Sequence, residues 1–307
     1  MGRSRHEFPD EALRLSRKRW NPSRLSGVRR SGGPSQAGNT DAASTQLKTG
    51  GWHPIEWLCE LAGTFFFLFL GFTSIAALES PLSPLHEALP SAVLRLVLIG
   101  AVFGILAAIV AVSPVGRRSG AHLNPAVTLG FWAYGQTHTH DLVGFVASQC
   151  LGAVLAAAAF FATSGSWAET ANFARTEPRP ELSGWTAAGI EVAITFGLLL
   201  VVLLMVSSLR TARWTPVGVT AALMVLIPLG GPLTGAGMNP ARTLGPDVVS
   251  AQYPSLWIYL VGPALGAFLG AAAFSLIASG RDVLTAKLFH DERYTSVHTS
   301  RMPTGRR

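Results

Sequence analysis

The chain has 307 residues, 49% of them hydrophobic and only 13% charged, with a formal net charge of +7. So little charge cannot cover a water-soluble domain of this length, and the composition points instead to a polytopic membrane protein. Two cysteines, Cys59 and Cys150, stand in apolar runs; they exclude a disulfide framework or a cysteine metal site, and each reads as a small buried hydrophobe.

Residues 1–54 come first and hold 10 of the 24 Lys and Arg. No apolar core follows this charge, so the segment is not a secretory signal; it reads as a disordered, basic, cytoplasmic extension. Arg17, Lys18, Arg19, Arg29 and Arg30 suit anionic lipid headgroups. Nucleic-acid binding is not expected, because no folded scaffold accompanies the charge.

A helix needs about 20 apolar residues to cross a bilayer. Six segments meet or approach that length: about 57–78, 92–112, 142–163, 187–207, 215–230 and 256–279. The fifth is the shortest and is expected to stop at Pro228, Gly230, Gly231 and Pro232. Two further apolar stretches, about 124–134 and 239–250, are too short to span. Each opens on Asn-Pro after a glycine-rich turn. Asn suits a helix cap and Pro the first helical turn, so both read as half-helices that begin inside the membrane. The predicted fold is all-α: six transmembrane helices and two re-entrant half-helices. The membrane domain covers 55–280, and a basic cytoplasmic tail covers 281–307.

An even number of spans puts both termini on one side. That side collects 20 of the Lys and Arg, while the opposite loops, about 79–91 and 164–186, carry Arg175 and Arg179. The imbalance predicts cytoplasmic termini, in the plasma (inner) membrane if the source is bacterial.

The two halves repeat. Ser119–Gly130 reads SGAHLNPAVTLG and Thr234–Gly245 reads TGAGMNPARTLG, identical at eight of twelve positions. Glu60 (ELAGTFFF) and Glu191 (EVAITFGL) open equivalent spans. Three spans separate equivalent points, so the second repeat, about 187–279, is inverted relative to the first, about 55–163. Inverted repeats with an interrupted segment in each half place a solute site near the midplane.

Two Asn-Pro-Ala boxes, Asn124-Pro125-Ala126 and Asn239-Pro240-Ala241, with Arg242 after the second, resemble the signature of the major intrinsic protein (aquaporin) family. The resemblance covers about 55–280. It implies a passive channel for water or other small uncharged solutes, closed to ions and protons, and not an enzyme. It also implies a homotetramer in membrane lipid, with no metal and no cofactor. Physical reasoning agrees. Two half-helices meeting head to head would aim their positive dipole ends at the centre. There Asn124 and Asn239 would donate to a passing oxygen, breaking a proton-conducting chain and repelling cations. A cation such as Arg242 inside a membrane is expensive and marks a functional position. Glu60 and Glu191 are expected to brace the pore loops. His122 would hold loop backbone or face the cytoplasmic vestibule.

Ungapped register from each box puts the remaining filter positions on Gly104, Ile227 and Ala236, beside Arg242. Pro114 lies in the intervening loop, and a one-residue shift would substitute Phe103 for Gly104. Gly104, Ile227, Ala236 and Arg242 match neither the Phe-His-small-Arg pattern of strict water channels nor the Trp-Gly-Phe pattern of glycerol channels. They are closer to the wide filters of channels for metalloid hydroxides. A wide facilitator for glycerol or metalloid hydroxides with little water flux is the alternative. A structural junction protein on the same fold is a different class, opposed by the intact Asn124, Asn239 and Arg242. Gly63, Gly152, Gly197, Gly262 and Gly266 read as helix-packing positions, and Trp52, Trp57 and Trp257 as interfacial anchors. Phe65, Phe66 and Phe67 are expected to face lipid or pack between helices.

Overall fold

The structure is a computed structural model, and it describes residues 51–278, 281–294, 296–298 and 300–302. Most of the predicted 1–54 extension lies outside the described residues. Among the described residues, six helices are long and apolar enough to span a bilayer. Labelling only spans and half-spans, they are α1 (Pro54–Glu79), α2 (Ala92–Val112), α4 (Thr139–Ser164), α5 (Gly184–Val206), α6 (Thr215–Thr234) and α8 (Leu256–Ile277). The half-helices are α3 (Pro125–Ala133) and α7 (Pro240–Ser250). Outward-facing Leu58, Phe66, Ile105, Val143, Val225 and Leu265 leave an apolar belt exposed. The chain is an integral, multi-pass membrane protein.

Helix starts follow local chemistry. Pro54, Pro125 and Pro240 each occupy a first turn, where the missing N–H costs nothing. Ser91 and Ser183 cap α2 and α5 through side-chain oxygens that accept from Leu94 N and Thr186 N. One expectation is corrected: α6 does not stop near residue 230. It continues through Pro228 and Pro232 to Thr234 and ends on Gly235 at φ 75°. Each proline deletes one rung of the helix, but packing on α2 and α5 holds it straight enough to complete a span.

Repeat symmetry shows in the packing. In the first half α1 packs on α2 and α4; in the second α5 packs on α6 and α8. The two halves meet along α2 and α6. Each half-helix crosses over, α7 onto α4 and α3 onto α8. Close approach depends on equivalent glycines: a Cβ on Gly152 would sit 2.5 Å from Leu61 O, and one on Gly266 would sit 2.6 Å from Val192 O.

Candidate functional site

The two non-helical loops that enter the bundle share an unusual backbone. Ala121 and Leu123 lie at φ 55° and 53°, and their counterparts Ala236 and Met238 at φ 48° and 47°. Left-handed alanine, leucine and methionine are unfavourable and persist only where surroundings hold them. Here the holder is a buried carboxylate in each half. Glu60 accepts from Ser119 Oγ (2.7 Å), His122 N (3.0 Å), Leu123 N (2.8 Å) and Gln149 Nε2 (2.8 Å). Glu191 accepts from Thr234 Oγ1 (2.7 Å), Gly237 N (2.8 Å) and Met238 N (2.7 Å). These bonds fix the N–H groups of both loops on the buried carboxylates.

Between the loops the two half-helices begin. Asn124 Oδ1 accepts from Ala126 N at 2.8 Å, and Asn239 Oδ1 accepts from Ala241 N at 3.1 Å. Their amides then exchange across the repeat boundary: Asn124 Nδ2 donates to Met238 O and Asn239 Nδ2 to Leu123 O, both at 2.9 Å. Each amide nitrogen carries two hydrogens. One is spent on this clasp, which leaves the second for a solute. Both side chains line one cavity of about 200 Å³.

Ile227, Ala236 and Arg242 line the same cavity, and Gly104 does not. The Gly104 position is corrected: its α-carbon faces α6, where a Cβ would fall 2.4 Å from Thr220 Cα. Phe103, one residue earlier, turns into the cavity. A helical turn at Pro114–Ser119 lies between Phe103 and Asn124, where the ungapped register assumed no such element. Phe103 packs edge-on against Phe67, and its ring tip meets Gly71. The next residue, Phe72, lies under the Arg242 guanidinium at 5.7 Å. The Phe103 ring therefore reaches close to the arginine's level.

Arg242 is buried, and its Nη1 donates to Ala174 O at 2.7 Å. Among the described residues it makes no ion pair. Its carbonyl partner comes from the loop between α4 and α5, held in place by Arg175. Arg175 donates to Asp247 Oδ1 (3.1 Å) and Gln252 Oε1 (2.6 Å), and Thr176 bonds Thr243 at 2.7 Å. Sequence reasoning used Arg175 only as a loop charge and found no role for Asp247. Both are cornerstones of this end of the cavity, and Arg175 and Glu79 line it. Phe67, expected to face lipid or pack, lines the lumen as well. Arg175 carries no periodic signal because it stands in an irregular loop, whereas Phe67, Glu79 and Asp247 stand on helices whose apolar runs do not reveal which face meets the cavity.

On the side of the termini, the tail lies across the loop of the first repeat. Leu288 N donates to Gly120 O (2.9 Å) and Leu284 N to Val206 O (3.0 Å). His122 Nε2 donates to Ala286 O at 2.7 Å, and His298 Nε2 to Ser119 O at 2.9 Å. The two imidazoles stack at 4.9 Å. Lys287 is fully buried, its Nζ donating to Arg117 O (2.6 Å) and Tyr294 O (3.2 Å). Arg117 in turn pairs with Asp291 at 2.9 Å. Leu288 thereby becomes part of the cavity wall.

Comparison with known proteins adds an independent finding. Residues 53–274 match the family model described as major intrinsic protein. Among similar proteins is "Aquaporin NIP1-1" of Zea mays, 37% identical over 223 residues, covering 72% of this chain and 73% of the maize protein. "Aquaporin NIP1-3" of Oryza sativa subsp. japonica is 35% identical over 221 residues, covering 72% of each chain. In fold, the chain resembles the X-ray structure of the aquaglyceroporin from Plasmodium falciparum. The TM-score is 0.60 at 21% identity, covering 73% of this chain and 96% of that one.

Proposed function

Because the chain belongs to the major intrinsic protein family, it is a passive channel for water and small uncharged solutes, and we propose that its filter is formed by Phe103, Ile227, Ala236 and Arg242. The observation that carries this reading is the wall of one cavity. Arg242, Asn124 and Asn239 offer hydrogen-bond donors to this wall, while Phe103, Ile227 and Ala236 are apolar. Such a wall suits a solute with a hydroxyl edge and a neutral remainder, such as glycerol or boric acid, as well as water. A water-only filter needs a second polar wall, which Ile227 does not provide. Phe103 makes the aperture narrower than a glycine there would, so small polyols and hydroxides fit this reading better than bulkier solutes.

In this account Asn124 and Asn239 orient each passing molecule at the midplane, and the dipoles of α3 and α7 repel cations there. Glu60 and Glu191 brace the loops, and His122 ties the first loop to the tail. The basic side of the membrane domain is cytoplasmic by the positive-inside rule, which supports both termini inside, and the plasma membrane is part of the same reading. Four copies, each with its own pore, form the working assembly.

Stopped-flow light scattering on proteoliposomes tests the filter, using water, glycerol, urea and boric acid gradients with the natural chain and an Ile227→His variant. The natural chain should pass water, glycerol and boric acid. The variant should keep water permeability and lose most glycerol permeability. Water flux alone in the natural chain, or identical solute selectivity in the variant, would overturn the filter reading.

The docked tail favours one addition to this reading: the arrangement is a closed or restricted state, with the described tail residues 281–294, 296–298 and 300–302 as the cytoplasmic cap. Leu288 in the cavity wall and the buried Lys287 and His298 support it.

A further inference from the structure

Away from the pore, the termini-side ends of α1 and α4 bring three metal-ligating side chains together. His53 immediately precedes α1, and His140 and Asp141 lie in the first turn of α4. His53 Nδ1 lies 2.9 Å from Asp141 Oδ1 and 3.1 Å from Oδ2. His140 Nε2 lies 3.4 Å from Oδ2. One ligand atom from each residue lies within 4.8 Å of the other two. Asp141 is fully buried, so it is not an ordinary solvated carboxylate.

A hydrogen-bonded His–Asp pair accounts for His53 and Asp141 and leaves two atoms unexplained. His140 Nε2 is sealed from solvent without a hydrogen-bond partner, and so is His138 Nε2. The His138 and His140 rings stack at 5.2 Å with an interplanar angle of 12°. Buried imidazole nitrogens ordinarily find a partner. Two without one, beside a buried carboxylate, call for a ligand that accepts nitrogen lone pairs.

We propose that His53, His140 and Asp141 form a binding site for a divalent first-row transition-metal ion of the zinc class, with water completing its coordination. The spacing suits it: ligands about 2.0–2.1 Å from a tetrahedral ion are about 3.3 Å from one another. Imidazole nitrogens with a single carboxylate select zinc, cobalt, nickel or copper over magnesium and calcium, which require oxygen-rich sets. An outer support is in place, since Trp57 Nε1 donates to Asp141 Oδ1 at 3.0 Å and leaves Oδ2 for the ion. The ion would staple the start of α1 to the start of α4, two spans that pack along their length. The sequence alone shows no metal motif because His53 stands 88 positions before Asp141.

The test uses untagged full-length protein in detergent, freed of metal with a chelator and titrated with Co²⁺. The site should take up one Co²⁺ per chain and show the visible absorption of a four-coordinate ion. Zn²⁺ should displace it, and excess Mg²⁺ should not. His53→Ala and His140→Ala should each abolish these bands, as should Asp141→Asn. Because Asp141 is buried, its variant is the one most exposed to misfolding, and His140→Ala, a partly exposed residue, keeps the test decisive. Absence of the cobalt bands in the natural chain, or bands unchanged in the folded His140→Ala and His53→Ala variants, would overturn the proposal and leave a hydrogen-bonded cluster.

Discussion

Glu60 holds its loop purely as an acceptor: four donors converge on two oxygens. Glu60→Gln would turn an amide N–H₂ toward at least one of them. An unsatisfied buried donor costs about 1–3 kcal/mol, so the variant's thermal midpoint should fall clearly; an unchanged midpoint would contradict the bracing role. Arg242→Ala removes the donor over the Phe72 ring and should admit larger or charged species, read as increased urea or ion flux. Single residues were unequally legible. The two Asn-Pro-Ala boxes and the glutamates can be read directly, because they repeat. The cavity-lining residue on α2 cannot, because the register from Asn124 back to Phe103 runs through a helical turn at Pro114–Ser119 whose length no spacing reveals.

Among elements, the half-helices were legible for a physical reason. Asn before Pro announces a helix start, and an apolar stretch of nine or eleven residues cannot span. The end of α6 was misread because Pro228 and Pro232 ordinarily stop a helix, whereas tight packing here carries it through. The loop between α4 and α5 gave no signal, since irregular backbone has no period. Its structural weight rests on Arg175, whose pair with Asp247 is almost wholly buried, each side chain 2% exposed. Arg175→Ala would leave Asp247 without its partner, a loss on the order of 3–5 kcal/mol. Lower thermal stability together with weaker discrimination between glycerol and urea is expected. Normal stability and selectivity would show that the loop holds Arg242 by other means.

At the scale of the whole molecule, the tail docks on the first pore loop and lines the cavity, so the proposed cap predicts a conductance that depends on docking. His298 is held well below the ordinary histidine range by burial, then by His122, with Lys287 and His138 adding further positive charge nearby. Docking therefore favours neutral His298. The stabilisation is complete above the free-histidine pKa of about 6.5 and is lost as pH falls below it. Lys287, lowered to about 8 by burial, weakens docking progressively as pH falls from about 10.5 to 8 and adds no slope below that. Acidifying the cytoplasmic face from pH 7.5 to 5.5 should raise permeability in the full chain. A chain ending at residue 280 should be more permeable and lose that response. Equal permeability with and without the tail would exclude a cap.

Paired half-helices that pass uncharged solutes should exclude ions and protons. The most direct test measures glycerol flux by light scattering and proton flux by an entrapped pH-sensitive dye, in the same proteoliposomes containing the chain cut at residue 280. Glycerol flux should lie well above that of protein-free vesicles, with proton flux no greater than theirs. Proton conduction alongside glycerol, or no glycerol flux from well-folded protein, would contradict this mechanism.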